Sequence, residues 1–396
     1  MRILFAHDHQ FRSAPGGAVY TPTSFAASAW DRYLEHFDEL RVVSRAGPPV
    51  ADGANLARSD RDGVSFDFLP SLSSLRQLAA PSAEATARMG SAIDWADAVV
   101  ARLPSEIGLM AVREAQRLGK PYAIELVGCP WDALTHHGSP AARLYAPVMV
   151  HRTRRAVKSA PMVLYVTAKW LQGRYPTDGV AAIASNVEIV PVTDSARASR
   201  ERRLKELAAG RPPILGTVAS LRVKSKGIQT AIPALARVRA SGLDLTYRVL
   251  GPGDTEPWVA LTEKNGVSDL VHFDGTRSAG EGVSGWLDEI DIYLQPSFHE
   301  GLPRATIEAM SRGAACIGST CGGIPELLPS NRLHRPGDVA ALAKIVRRLA
   351  SDPSEIAMAS RADRDTARSY DPEILRSRRS DFFRRLRDIS DARHNR

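Results

Sequence analysis

Short, β-branched apolar runs alternate with helix-patterned stretches from one end of this 396-residue chain to the other. The first half offers strand candidates at residues 2–6, 40–44, 98–101, 122–126 and 162–166, and the second half at 214–218, 246–250, 271–274, 292–295 and 315–318. Most of these runs are continuously apolar, not alternating, which is the pattern of strands buried on both faces of a parallel sheet. Helical periodicity fills the intervals, as at 107–118, 227–240 and 304–312. Strand and helix alternating over such a length point to an α/β protein built of doubly wound, Rossmann-like domains.

The alternation lapses between Asp178 and Pro213, where a polar Ser/Arg run and a charged, helix-like piece at 200–209 lead into Gly-Arg-Pro-Pro. A fresh strand then begins at Ile214, so the expected organisation is a domain at 1–190, a second at 191–370 and a terminal segment at 371–396. From Asp371 the chain reads as one charged helix with apolar positions at Ile374, Leu375, Phe382, Phe383, Leu386 and Ile389. No repeat of 20 to 50 residues is visible.

Charge and cysteine content narrow the function classes. The formal net charge is +8, but residues 341–396 alone hold 14 basic and 9 acidic residues, more than half of that excess. A basic tail on a nearly neutral body, without interleaved aromatics, argues against a nucleic-acid partner. Three cysteines suit a reducing cytoplasm better than a disulfide framework. No stretch approaches the ~20 apolar residues that span a bilayer, and the first residues read as a strand and not as a signal peptide.

The most informative segment is Tyr293-Leu-Gln-Pro-Ser-Phe-His-Glu-Gly-Leu-Pro-Arg-Ala-Thr-Ile-Glu-Ala-Met. It reads as a strand, a loop and a helix opening near Arg304, with Glu300 before the helix and Glu308 inside it. Loops at the carboxyl ends of parallel strands are where open α/β sheets place ligands. Free amides at residues 303–306 would suit a phosphate, and two carboxylates would suit hydroxyl groups, since they only accept hydrogen bonds. A sugar nucleotide offers both. Taken alone, the pair reads as readily as a loop charge and a solvated helix residue.

The pair is not alone. The segment resembles the E-x7-E signature of the retaining GT-B glycosyltransferases of group 1, the glycogen-synthase-like family, and Glu125-Leu-Val-Gly-Cys-Pro-Trp-Asp132 is similar to a segment of its bacterial polysaccharide-biosynthesis branch. Gly322-Gly-Ile-Pro-Glu326 is similar to that family's GG-x-P-E loop. Upstream, Thr217-Val-Ala-Ser-Leu-Arg-Val-Lys-Ser-Lys-Gly227 is similar to its strand and Lys-Gly loop, and Val249-Leu-Gly-Pro-Gly-Asp254 to its G-x-G loop.

The resemblance implies a GT-B fold, two Rossmann-like domains facing a central cleft with a C-terminal helix crossing back to the N-terminal domain. It implies a nucleotide-sugar donor in the second domain and an acceptor in the first. Lys226 would hold the donor diphosphate, Glu308 the ribose hydroxyls, and Glu300 would face the transferred sugar, with Gly301 and Leu302 beside it. Ala305 and Thr306 would offer amides to phosphate, and Gly251 and Gly253 would let the backbone approach the nucleotide. Gly16 and Gly17, read as a loop between the first strand and a helix, resemble the glycine loop under the donor phosphate.

Two departures from the family pattern stand out. Where members carry an arginine five residues before the lysine, this chain has Leu221, leaving Arg222 or Lys224 for the role, with Arg222 preferred. Where many members have a histidine after the strand at 122–126, this chain has Val127-Gly128. Acceptor-side candidates are therefore His9, Glu125, Trp131, Asp132 and His136 or its neighbour His137, while His7 and Asp8 share the end of strand one. No zinc-like Cys or His spacing is present, and the resemblance implies metal-independent transfer with no cofactor. The donor is expected to be UDP- or GDP-linked before ADP-linked, and the acceptor a glycan or lipid-linked saccharide. The apolar positions of the basic C-terminal helix are expected to pack on the N-terminal domain, with contact of its arginines with anionic lipid at the inner face of the membrane as the alternative, in a cytoplasmic protein. The competing reading is a non-catalytic GT-B scaffold or sensor that binds a nucleotide or glycan.

Overall fold

The computed structural model describes residues 1–22, 24–51, 56–70, 83–135 and 139–394. They form two compact units, Met1–Ala184 with Leu375–Arg396, and Ser185–Ile374. The divisions thus fall after Ala184 and Ile374, where the sequence pattern placed them near 190 and 370. Residues just past Ala184 already belong to the second unit, as Val190 beside Gly280 illustrates.

In the first unit seven parallel strands lie in the order β5 (Val64–Leu69), β3 (Glu39–Ala46), β1 (Arg2–Ser13), β6 (Ala98–Leu103), β7 (Tyr122–Leu126), β8 (Met162–Tyr165) and β9 (Val180–Ile183). Ile3, Leu4, Phe5 and Ala6 are fully buried, as a central strand covered on both faces requires. β1 runs well past the expected residue 6. Its pairing with β6 ends at Ala6, and its register with β3 shifts between Ala6 and Gln10. A bulge of this kind re-aims side chains, and here His7, Asp8 and His9 fall in the interval between the two registers.

Gly16 and Gly17 do not precede a helix. They form the turn of a hairpin in which β1 pairs antiparallel with β2 (Val19–Thr21), closed by the Ala14 amide on the Ala18 carbonyl at 2.9 Å. The β-branched and aromatic run Val19-Tyr20-Thr21 favours strand over helix, and β4 (Ala57–Arg58) extends the ribbon.

The second unit is a six-stranded parallel sheet in the order β12 (Val271–Phe273), β11 (Tyr247–Leu250), β10 (Leu215–Val218), β13 (Ile292–Gln295), β14 (Ala315–Ser319), β15 (Leu333–His334). The strand order reverses at β10 and β13, so the loops leaving these two neighbours diverge and open a crevice at their carboxyl ends. Asp291, only 1% exposed, fixes the near edge of β13. It accepts hydrogen bonds from Arg203, Arg211 and the Ile214 amide, tying the charged helix Asp194–Ala208 and the Gly-Arg-Pro-Pro link to the sheet.

The C-terminal helix Pro372–His394 belongs to the first unit from Leu375 onward. Leu375, Phe382, Phe383 and Leu386 are buried, with Phe383 packed on Tyr33 and the Ser390 hydroxyl donating to the Asp97 carbonyl. Ile374 and Ile389 stay exposed.

Candidate active site

The loops after β10 and β13 meet at the reversal point. After β10 a short turn, Lys224–Lys226, ends on Gly227 with φ +80°, and the helix Ile228–Arg239 follows. A Cβ on Gly227 would stand 1.9 Å from the Pro296 carbonyl oxygen, so only glycine lets the two loops touch. The Phe298 amide then donates to the Ser225 carbonyl at 2.7 Å, locking one loop to the other.

This contact brings Lys226 and Glu300 together, with Nζ donating to Oε1 at 2.7 Å. Oε1 also accepts from Gln295 Nε2 at 2.9 Å and from Ser297 Oγ at 2.8 Å. Gln295 is itself held, its Oε1 accepting from Tyr293 at 3.0 Å and from Thr306 at 3.1 Å. One oxygen of a buried carboxylate is therefore saturated, while Oε2 takes no hydrogen bond among the described residues. Gly322, at φ +58°, lies so close that a Cβ there would meet the Glu300 carbonyl oxygen at 2.2 Å, and the Gly323 amide donates to the Gly301 carbonyl.

The helix Arg304–Ser311 starts beside this carboxylate, with Pro303 at its cap position and no side chain capping it. Its first amides, including those of Ala305 and Thr306, precede any carbonyl of their own helix that could accept them. Glu308 lies one turn in. Burial raises its pKa, as does the charge of Glu188, while Arg304 pulls the other way. Leu302 is buried.

Gly251 and Gly253 follow β11 and press against the loop after β10. A Cβ on Gly251 would stand 1.9 Å from the Ala219 carbonyl oxygen, and one on Gly253 would stand 3.1 Å from Arg222 Cγ. Leu221, in the position where an arginine was sought, turns into the core of the unit at 7% exposure. Arg222 and Lys224 are both exposed, but it is the stem of Arg222 that lies along the glycine loop.

The first-unit candidates are distributed differently. Asp8 caps the helix Glu106–Arg117, accepting from the amides of Glu106 at 2.8 Å and Ile107 at 3.1 Å, and it pairs with Arg45. His7 Nδ1 faces the Arg102 carbonyl at 3.2 Å, and burial, then Arg102, lower its pKa to about 3. His9 Nε2 donates to Thr21 Oγ1 at 2.8 Å, because the Thr21 hydroxyl spends its own proton on the Ser24 carbonyl. Burial and Arg102 lower the His9 pKa to about 4, so both rings are neutral near pH 7.

Glu125, 3% exposed, is occupied on both oxygens, by the Tyr33 hydroxyl at 2.8 Å and by Arg102 at 3.0 Å. Arg379 of the C-terminal helix is half-buried close by, its pKa lowered to about 10 by desolvation and by Arg32, against the pull of Glu125. Asp132 accepts from Arg174 at 2.9 Å, and Trp131 is 43% exposed. His136 and His137 lie outside the described residues.

Phe25 was not singled out by sequence. It takes φ +69° and stacks on Trp30, its ring against His9 and under the Arg102 guanidinium. A bulky residue in the left-handed region is strained and persists only where its neighbours impose it. Nothing in the local sequence signals this.

Among the described residues no three His, Cys, Asp or Glu side chains converge as a metal-binding group.

Residues 212–352 match the family model described as glycosyl transferases, group 1. The chain is 29% identical over 349 residues to Protein CapJ of Staphylococcus aureus, covering 88% of this chain and 86% of CapJ. Over 175 residues it is 33% identical to the putative colanic acid biosynthesis glycosyltransferase WcaL of Salmonella typhimurium, covering 41% of this chain and 39% of WcaL. Among solved structures, HepE of Anabaena in complex with UDP-glucose superposes with a TM-score of 0.65 at 17% identity, covering 96% of this chain and 98% of that one. The fold is GT-B, and the second unit carries a group 1 glycosyltransferase domain.

Proposed function

We propose that this chain is a retaining glycosyltransferase that moves a sugar from a nucleotide-linked donor to an acceptor hydroxyl in the biosynthesis of a cell-surface polysaccharide or glycolipid. The observation that carries the reading is the Lys226–Glu300 pair, at 2.7 Å, placed at the strand-order reversal beside an uncapped helix N-terminus. The group 1 match over this unit, the UDP-glucose in HepE and the polysaccharide named for WcaL support it.

In this reading the donor diphosphate lies against Lys226, Arg222 and the amides of Ala305 and Thr306, with the ribose hydroxyls on Glu308. Glu300 presents Oε2 to the sugar. As the bond from the anomeric carbon to the phosphate oxygen breaks and that to the acceptor oxygen forms, charge gathers on the leaving diphosphate and the acceptor's proton passes to it. Fixed cationic and amide donors aimed at that charge each contribute about 3 kcal/mol of barrier lowering. Such a set suffices without a metal ion. A UDP- or GDP-linked sugar is the donor of choice and a glycan or lipid-linked saccharide the acceptor, taken up by the first unit.

The test is turnover of UDP-, GDP- and ADP-linked sugars, in chelator, with free and lipid-linked saccharide acceptors. Release of nucleoside diphosphate with label transferred to acceptor is expected, and Glu308→Ala should weaken both donor binding and transfer. Full activity in that variant would sink the assignment, and binding without turnover across the whole panel would favour a scaffold or sensor.

A further inference from the structure

The basic C-terminal helix spends its apolar residues inside the first unit, which leaves it little with which to enter a lipid surface. Another helix of the same unit has what it lacks. Pro140–Ser159 carries Arg143, Arg152, Arg154, Arg155 and Lys158 and not one acidic residue over its 20 positions. Its inner face is held by Ala146, Met149, Thr153 and Val157, and by Tyr145 and Arg152 bonded to Glu106. Its outer face follows the helical period through Leu144, Val148, His151, Arg155 and Lys158, all exposed.

Leu144 is 80% exposed and Val148 49%, one turn apart. Arg143 donates to the Thr135 carbonyl, joining this end of the helix to the short helix Pro130–Thr135 that bears the half-exposed Trp131. Other exposed apolar side chains, such as Val223, Val259 and Met358, are scattered singly, and single ones need no explanation.

We infer that the outer face of the helix Pro140–Ser159 docks on an anionic lipid surface, with Leu144, Val148 and Trp131 entering the headgroup boundary and Arg155 and Lys158 meeting lipid phosphates. This one exposed face offers apolar side chains at its first turns and cations at its last, so it can give a lipid surface both apolar area and charge. Among the described residues no helix is long and apolar enough to cross a membrane, so contact would be peripheral. Charge selects the occupant, because a second copy would bring the same cationic face and be repelled, whereas each Lys or Arg gains from an anionic leaflet. The inference does not depend on glycosyl transfer.

The test is co-sedimentation of the full chain with phosphatidylethanolamine vesicles, with and without phosphatidylglycerol. Binding only to the anionic vesicles is expected, reduced about tenfold or more by Arg155→Glu with Lys158→Glu, and likewise by Leu144→Asp with Val148→Asp, with thermal unfolding unchanged. Arg384→Ser with Arg385→Ser, on the exposed side of the C-terminal helix, should leave binding intact. No binding by the unaltered chain, loss only in the C-terminal variant, or insensitivity to both helix variants would each overturn the inference. So would lipid-free dimerisation abolished by Leu144→Asp, or indifference to vesicles with capture of an acidic protein through this face. Sedimentation does not read turnover, so an inactive chain that still binds vesicles would fail the glycosyltransferase reading alone.

Discussion

Glu125 and Glu300 occupy like positions in the two units, each near the carboxyl end of a parallel strand and each buried, at 3% and 8% exposure. Their surroundings differ in one respect that decides their chemistry. Glu125 has a partner on each oxygen, Tyr33 and Arg102, whereas Glu300 has three partners on Oε1 and no hydrogen bond on Oε2 among the described residues. A buried carboxylate saturated on both sides is a structural tie. One anchored on a single oxygen is fixed in place while keeping an acceptor for a ligand. In the proposed reading burial and charge alone do not mark the functional glutamate; the distribution of donors over its two oxygens does.

Exchange of each glutamate for glutamine breaks this comparison most directly. Glu300→Gln keeps an acceptor for Gln295 and Ser297 but removes the charge facing Lys226, and transfer should fall by about 10²- to 10³-fold with little change in Tm. Glu125→Gln should do the reverse. It leaves the Arg102 charge, 14% exposed, without its counterion, which costs about 3 kcal/mol of stability, and turnover per folded molecule should stay within about twofold. Steady-state rates with paired denaturant melts read both. Equal loss of activity in the two variants would erase the distinction and put Glu125 on the acceptor.

The distinction explains what the sequence made legible. Gln295, Ser297, Glu300 and Thr306 fall within one continuous segment, so the resemblance and the strand–loop–helix pattern drew attention to all four together, although only Glu300 and Thr306 were given a role. Lys226 stands 74 residues away from Glu300 and was reached through the order of motifs. The partners of Glu125 are drawn from Tyr33, Arg102 and the neighbourhood of Arg379, spread over the whole chain with no local pattern to join them. Asp8 shows the same limit, a residue at a strand end that proves to cap a helix starting at Glu106. The doubly wound α/β class followed from the apolar runs, because buried parallel strands announce themselves. The bulge in β1 and the hairpin at Gly16 and Gly17 did not, since polar residues and a glycine pair are compatible with strand, loop and turn alike.

The histidines of the first unit sharpen the comparison through pH. The His7 and His9 pKa values fall from 6.5 to about 3 and about 4 in the folded chain, chiefly through burial. The unfolded chain therefore binds more protons than the folded one once pH drops below about 6.5, and stability is lost on going down from there. Both rings are partly exposed, so the loss is discounted to about 2 kcal/mol in total between pH 6.5 and 5. Urea melts at the two pH values should show it, and His7→Gln with His9→Gln should flatten it. An unchanged slope in that double variant would mean that other groups carry the acid sensitivity.

Glu308 gives the smallest effect and the most discriminating sign. Its pKa is raised in the folded state by burial and by Glu188. The folded chain thus holds this proton to higher pH than the unfolded chain does, and ionisation of Glu308 costs stability as pH rises through that interval. Removing the charge with Glu308→Gln should therefore raise Tm slightly at pH 7, an advantage that shrinks toward acid pH. A carboxylate that binds ribose hydroxyls must nonetheless be ionised to accept from both, so the same variant should weaken donor affinity by about tenfold, the equivalent of one charge-assisted hydrogen bond. Calorimetric titration of donor beside thermal melts separates the two effects. A gain in stability with loss of affinity is the mark of a residue held for its ligand at the expense of the fold. A loss in both would make Glu308 a second structural carboxylate, of the kind Glu125 represents.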